Sequence, residues 1–115
     1  NGTKIETIGS FAFKENLISD INIPTNIENI NYDAFVYNAI ETFTSFGSLT
    51  EIDAGVFNYG DKYSNSSNDI IIDFNGITNI SFVSFANFKN KLSISNLASG
   101  NTDDNQFYNS EYEIN

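Results

Sequence analysis

The stretch that decides the fold reads IENINYDAF and occupies residues 27–35. It recurs as IETIGSFAF at residues 5–13, as LTEIDAGVF at 49–57 and as ITNISFVSF at 77–85. Each copy has two aliphatic residues three apart, then a small residue and a Phe, although Ser84 replaces the small apolar residue in the last. Self-similarity at a fixed spacing, here 22 residues between successive members of the first three copies, predicts a repeat protein.

The interval from the third copy to the fourth is 28 residues, longer than the others. Residues 61–69 read DKYSNSSND, and this polar segment without periodicity predicts a surface loop inserted between two repeats. Repeat proteins accommodate such insertions because the extra residues leave the stack on one side. The repeat therefore continues through the insertion.

A second apolar segment separates the copies and predicts a strand in each turn. In the first turn Ile21 and Ile23 alternate with Asp20 and Asn22, which is typical of a strand with one buried face. Pro24 ends this strand, since proline cannot donate to a ladder. Two registers fit the third of these segments. The segments that match lie at residues 40–46, 70–74 and 92–95.

A turn of about 22 residues is too short to bury its own apolar face, so neighbouring turns must stack like residue over like. The sequence therefore predicts a mainly β repeat solenoid of about four turns. Its core is expected to contain one aliphatic and one aromatic column. Their members are Ile5, Ile27, Leu49 and Ile77 in the first and Phe13, Phe35, Phe57 and Phe85 in the second.

The solenoid is predicted to span residues 1–97, with repeats that start near residues 5, 27, 49 and 77. Beyond that the pattern fades, and residues 98–115 fit a degenerate repeat, a cap or a tail. Solenoid ends need capping, and neither end of this sequence reads as a full cap. Because the chain contains no Met and opens with Asn1-Gly2-Thr3, we expect it to be a piece of a longer protein.

The segment NLISDINIPTNIENINYDAFVYN at residues 16–38 resembles one full BspA-type (Treponema-type) leucine-rich repeat. That family has a strand ending in I-P, then I-x-x-I, then A-F, then Cys or Asn. Asn16 and Asn38 occupy the Cys/Asn position, whereas Gly60 stands there in the third turn. The resemblance covers about residues 2–97. It implies a right-handed leucine-rich-repeat-like coil with a parallel sheet on one face.

The resemblance also implies a surface protein of a bacterium or a protozoan parasite, often linked to adhesion. The expected localisation is accordingly extracellular or at the cell surface, bacterial by resemblance. The expected function is a non-catalytic, adhesion-like binding module of an exported surface protein. A structural spacer within a larger surface protein is the alternative. The family indicates a class of role and not a ligand.

The charge of the chain excludes several classes of partner. Fifteen carboxylates face five cations, every one of them Lys, which gives a net charge of -10. Such a charge repels phosphate backbones and anionic membranes, so we expect no nucleic acid and no membrane insertion. Without His, Cys or Arg, Ser-His-Asp and Cys-His catalysis and zinc sites built on these residues are absent. We therefore expect no enzyme, no cofactor and no metal.

Two carboxylate-based functions are weaker alternatives. A polysaccharide-active enzyme needs a carboxylate pair in a cleft. Asp20 with Glu41 or Thr42 is the one arrangement that the pattern offers. We favour the interpretation that these are solvated residues of a strand. Calcium takes oxygen ligands, but the candidates lack the spacing of known calcium loops, so ordinary polar loops are favoured. These candidates are Asp61, Asn65, Asn68 and Asp69 in the inserted loop, and Asp103, Asp104 and Asn105.

Regularly spaced residues on a rigid face are how solenoids bind partners. We expect the outward side chains of the strands to contact a protein or glycan on another surface; the oligomeric state stays open. Tyr37 and Tyr59 lie one period apart and should stack near a turn edge, where they either anchor a partner or shield the backbone. The outward residues are Asp20, Asn22, Thr42, Thr44, Ser93 and Ser95, with Asp69 or Asp73 depending on register.

Overall fold

The computed structural model describes residues 6–115, and the predicted place of Ile5 in the aliphatic column lies outside these residues. No helix occurs in the described part of the chain. The nine strands are β1 (Glu6–Ile8), β2 (Asp20–Asn22), β3 (Ile27–Ile30), β4 (Thr42–Ser45), β5 (Glu51–Ile52), β6 (Ile70–Asp73), β7 (Asn79–Ile80), β8 (Leu92–Ser95) and β9 (Tyr112–Ile114).

Every strand pair is parallel and joins equivalent positions of neighbouring turns. The I-x-x-I segments pair as β1 with β3 and β5 with β7, so that Ile8 lies beside Ile30 and Ile52 beside Ile80. The second segments pair as β2 with β4 and as β6-β8-β9. Parallel pairing with a crossover of one full turn is the connectivity of a solenoid. This confirms the predicted fold class.

The coil has about five turns, so the prediction of four was one too few. Strand β9 pairs with β8 and places Ile114 beside Ile94. Residues 98–115 supply this last turn without an I-x-x-I segment. The side chain of Asn101 takes that role: its Oδ1 accepts a hydrogen bond from the backbone N–H of Ile80 at 2.8 Å. Because a side chain replaces a strand, the usual pattern of apolar residues is missing there.

The aromatic column forms the centre of the core as predicted. Ring centroids of successive Phe side chains lie 5.1 Å apart for Phe13–Phe35, 5.5 Å for Phe35–Phe57 and 5.2 Å for Phe57–Phe85. The fifth turn adds Phe107, 5.7 Å from Phe85. Phe57 and Phe85 are fully buried, whereas Phe13 in the first described turn is 38% exposed. Burial of the column therefore increases from the first turn toward the middle of the stack.

Beside the Phe column, each turn of the solenoid contains two residues with a left-handed backbone conformation. The residue two before each Phe has positive φ: Phe11, Asp33, Gly55, Val83 and Asn105. The residue two after each Phe has it as well, with Tyr37 at 59° and Tyr59 at 53° among them. Left-handed backbone favours Gly, Asn and Asp and is costly for a β-branched residue. Val83, at φ 50°, is the residue that fits its position least.

We expect Val83→Asn to raise the free energy of unfolding by about 1 kcal/mol, because Asn tolerates left-handed backbone far better than Val. Equilibrium urea unfolding at pH 7, followed by circular dichroism, measures the change. Thr78→Asn is the control, since Thr78 is an exposed β-branched residue without positive φ. Equal shifts for the two variants would show that the backbone conformation is not the cause.

The Cys/Asn position of the repeat carries a buried polar side chain. Asn38 is fully buried, and its Nδ2 donates to the carbonyl oxygens of Phe35 at 2.7 Å and Phe13 at 3.0 Å. Its Oδ1 accepts from the backbone N–H of Ile18 at 3.1 Å. In the fifth turn Ser110 donates and accepts in a similar way. These side chains satisfy backbone groups that the turn leaves unpaired.

Candidate functional site

Strand alternation places a row of polar side chains on one surface, which we call the outward sheet face. Ile70 and Ile72 of β6 are buried, while Ile71 and Asp73 are exposed. This resolves the register of the third segment and puts Asp73 on the strand; Asp69 precedes β6 and is exposed too. The outward sheet face consists of Asp20, Asn22, Thr42, Thr44, Ile71, Asp73, Ser93 and Ser95.

Asp20 is held in place by its neighbours on the next strand. Its Oδ1 accepts hydrogen bonds from the hydroxyls of Thr42 and Thr44, each at 2.6 Å. These bonds stabilise the charged carboxylate, with the Thr42 bond having the largest effect, and hold the pKa of Asp20 below its usual value. A carboxylate that favours its charged form is an acceptor, whereas a general acid needs a raised pKa. The Asp20–Thr42 arrangement therefore suits recognition.

Asp73 and Ser93 on the outward sheet face are also held by hydrogen bonds. Asp73 accepts from the Asn96 amide and from the backbone N–H of Asn75, each at 2.9 Å, and these bonds hold the pKa of Asp73 below its usual value. Ser93 accepts from Asn115 at 2.8 Å. Ser95 is half-buried, and Asn22 is exposed beside an irregularity in the β2–β4 register. Most polar groups of this face are thus fixed before any partner arrives.

The outward sheet face is interrupted at one place. The β2–β4 and β6–β8–β9 ladders are separate sheets, and a depression of about 200 Å³ lies between Thr44 on one and Asp73 on the other. Ser45 and Gly47 also line the depression. Concave places with a few convergent polar groups are where ligands bind.

We expect Asp20→Asn to flatten the loss of stability in acid. Because the pKa of Asp20 is lower in the folded state, its contribution is fully present above its unfolded pKa, about 3.9, and disappears as the pH falls through the folded value. The wild type should lose more stability between about pH 5 and pH 2 than the variant. Urea unfolding across this range measures the difference.

The matched variant for this experiment is Thr42→Val/Thr44→Val, which keeps the carboxylate of Asp20 and removes both hydroxyl donors. It should show the same flattened pH dependence as Asp20→Asn. A wild-type acid slope in both variants would contradict the assignment.

A second surface, which we call the tyrosine edge, lies along the turns beside the Phe column. The rings of Tyr37 and Tyr59 stack with centroids 5.0 Å apart and planes inclined at 21°. The ammonium group of Lys62 lies 5.8 Å and 5.5 Å from these two ring centroids, and that of Lys14 lies 6.0 Å from Tyr37. Such cation–π contacts contribute about 0.5–1 kcal/mol at exposed sites and favour this placement of the lysines over the rings.

The next two turns carry Asn87 and Asn109 at the position of the tyrosines. The Asn87 amide donates to Asn58 and the Asn109 amide donates to Asn87, each at 2.9 Å. Next to them lies a depression of about 400 Å³, lined also by Tyr59, Lys62, Phe88 and Lys89. Sequence reasoning identified the tyrosines and overlooked the asparagines and lysines. Following the tyrosine position into the fourth and fifth turns would have found the asparagines.

The calcium candidates do not form a cation site. The fully buried carboxylate of Asp61 accepts the backbone N–H groups of Lys89 at 2.8 Å and Asn90 at 2.9 Å, so it fastens the inserted loop to the next turn. Asp103 and Asp104 are exposed on the fifth turn. In residues 6–115 no group of three or more Asp and Glu side chains could hold a metal ion.

Nothing in the part of the chain that the structure describes is a helix of the length and hydropathy needed to cross a membrane.

Comparison with known proteins gives one match. The family model of the BspA type leucine-rich repeat region matches six copies over residues 2–113. No curated protein and no solved structure matches the chain. The match extends through the fifth turn, which the resemblance seen in the sequence alone did not reach.

Proposed function

The chain belongs to the BspA-type leucine-rich repeat family, and from this premise we propose that it is a non-catalytic binding module of an exported surface protein. Its outward sheet face contacts a protein or glycan on another surface, as in adhesion. The family match supports a repeat module that presents a surface. The localisation outside the cell and the adhesive role are part of the proposal.

One observation carries the proposal: most polar side chains of the outward sheet face are ordered by hydrogen bonds, either to each other or to neighbouring residues. Asp20 is fixed by two threonine hydroxyls at 2.6 Å and Asp73 by an amide at 2.9 Å. The free energy of binding becomes less favourable by about 0.5–1.5 kcal/mol for each mobile side chain that must be immobilised. Side chains that are already fixed avoid much of this cost, which is what a recognition surface requires.

The contact is centred on the depression between Thr44 and Asp73. On the same face, Ile71 of β6 is 71% exposed and supplies an apolar group among acceptors and hydroxyls. A spacer needs neither ordered outward groups nor an exposed aliphatic side chain on the same face. These features favour binding over a purely structural role.

The test is binding to an array of purified extracellular-matrix proteins and glycans, measured by surface plasmon resonance. Thr42→Lys/Thr44→Lys changes the outward sheet face and should reduce affinity for a bound partner at least about tenfold, since mispaired charge and bulk at an interface centre cost several kcal/mol. Thr25→Lys/Thr50→Lys makes the same chemical change at exposed positions elsewhere and should bind as the parent does. Equal binding by both variants, or no bound partner in the array, would favour the spacer.

A further inference from the structure

The lysines of this acidic chain are unevenly distributed. Among the described residues, the one salt bridge joins Lys91 to Glu113 at 2.8 Å, on the side of the outward sheet face. The other three described lysines, Lys14, Lys62 and Lys89, lie along the tyrosine edge. In a chain of net charge -10, three of the four described lysines are therefore concentrated along this edge, where they attract an anionic group.

Two of these lysines face the same depression. Lys62 is positioned by the rings of Tyr37 and Tyr59, and the Lys89 ammonium donates to the backbone carbonyl of Ser64 at 2.7 Å. An ammonium group has three donors, so each lysine keeps donors for a ligand while its side chain is already ordered. The pair is suited to a carboxylate, which can accept from two ammonium groups at once.

The other walls of the depression are an aromatic ring and a row of amides. Tyr59 is half-buried at one end of the tyrosine stack, and no tyrosine follows it in the next turn, where Asn87 stands. Asn87 and Asn109 each use one amide hydrogen in the amide ladder. A primary amide has two N–H donors and two acceptor lone pairs, so both residues keep groups that can pair with hydroxyls.

We propose that the tyrosine edge binds a carboxylate-bearing sugar residue in the depression between Tyr59 and Asn109. The apolar face of a pyranose ring packs on Tyr59, its hydroxyls pair with the amides of Asn87 and Asn109, and its carboxylate lies between Lys62 and Lys89. An acidic peptide would satisfy the lysines and pair its backbone with the amide row, but its acidic side chains bring no flat apolar face to Tyr59. The chemistry of the depression therefore selects an acidic glycan.

This proposal deepens the proposed binding function, but it concerns a surface separate from the outward sheet face. The two can therefore fail independently. Thr42→Lys/Thr44→Lys should leave binding at the tyrosine edge unchanged, whatever it does elsewhere.

The experiment titrates the chain with trigalacturonate and with 3′-sialyllactose, using the methyl ester of the first and lactose as neutral counterparts. Chemical-shift changes of the side-chain amides of Asn87 and Asn109 report the site. We expect at least one acidic probe to bind. Its neutral counterpart should bind at least about fivefold more weakly, a factor at the upper end of what one exposed ion pair contributes to affinity. Absence of binding by both acidic probes would overturn the proposal.

Variants separate this site from general charge attraction. Lys62→Gln and Lys89→Gln should each weaken binding about two- to fivefold, whereas Lys91→Gln removes the same charge from the other surface and should have no effect. Tyr59→Leu should weaken binding, and Tyr32→Leu, at an exposed tyrosine elsewhere, should not. Equal losses for Lys91→Gln, or equal binding of a tetraglutamate peptide that is insensitive to Tyr59→Leu, would show a general anion surface and contradict the assignment to a sugar.

Discussion

Phe57→Ala should lower the free energy of unfolding by about 3–5 kcal/mol, the range for removing a fully buried aromatic ring. Phe57 stacks on Phe35 at 5.5 Å and on Phe85 at 5.2 Å, and it contacts Phe43 edge-on at 5.2 Å. Its removal leaves a cavity that neighbouring turns cannot fill, because their positions are fixed by backbone ladders on both sides. A loss of this size is a large fraction of the stability of a small domain.

The control for this prediction is Phe13→Ala, which removes the same ring from the same column. Phe13 is 38% exposed and packs against one described ring of the column, that of Phe35, so its removal should cost roughly 1 kcal/mol, within the usual range for a partly exposed contact. Urea unfolding followed by circular dichroism compares the two variants. Similar losses for both would mean that burial in the column does not determine its contribution.

Asn38→Ala should lower the free energy of unfolding by about 3 kcal/mol, because it leaves several backbone groups without partners. The Asn38 amide donates to the carbonyls of Phe13 and Phe35, and its oxygen accepts from Ile18. Because the side chain lies fully buried between the first and second turns, water cannot replace these bonds without opening the stack. The same urea unfolding measurement applies.

Two variants test the reason for this loss. Asn38→Asp has nearly the same shape, but it places acceptors against the carbonyls of Phe13 and Phe35, so it should be at least as damaging at pH 7 as Asn38→Ala. Asn16→Ala changes the equivalent position of the first turn, where the side chain is exposed, and should alter stability by less than about 0.5 kcal/mol. A harmless Asn38→Asp would indicate that shape alone matters at this position.

The proposed sites were predictable to different degrees. Period-two alternation in the strands predicted the polar row of Asp20, Thr42 and Thr44, because alternation is a local property of the chain. The hydrogen bonds that join these residues depend on the register between strands 22 residues apart. The depression beside Tyr59 depends further on Lys62, which lies in the inserted loop, and on Lys89 of the following turn, and no repeat position links these two lysines.

Gly60 shows what the repeat pattern alone misses. It replaces the Asn of the preceding turns and looks like a weakened repeat in the sequence. In the structure a Cβ atom at this position would lie 2.5 Å from the Phe88 ring and 2.7 Å from the carbonyl oxygen of Phe57. The glycine is required because Phe88, which occupies the same repeat position one turn later, packs into the space of the missing side chain.

By itself the sequence determined the stacking of the turns, because four copies with the same internal spacing leave a single way to bury their Ile and Phe residues together. Only the tertiary structure showed that residues 98–115 form a further turn and which side chains meet on the surface. A turn completed by the polar side chain of Asn101 arises from contacts between turns, and so does the pairing of Lys62 in the inserted loop with Lys89 in the next turn. Such contacts leave no periodic signal in any one turn, since each depends on the neighbour that it meets.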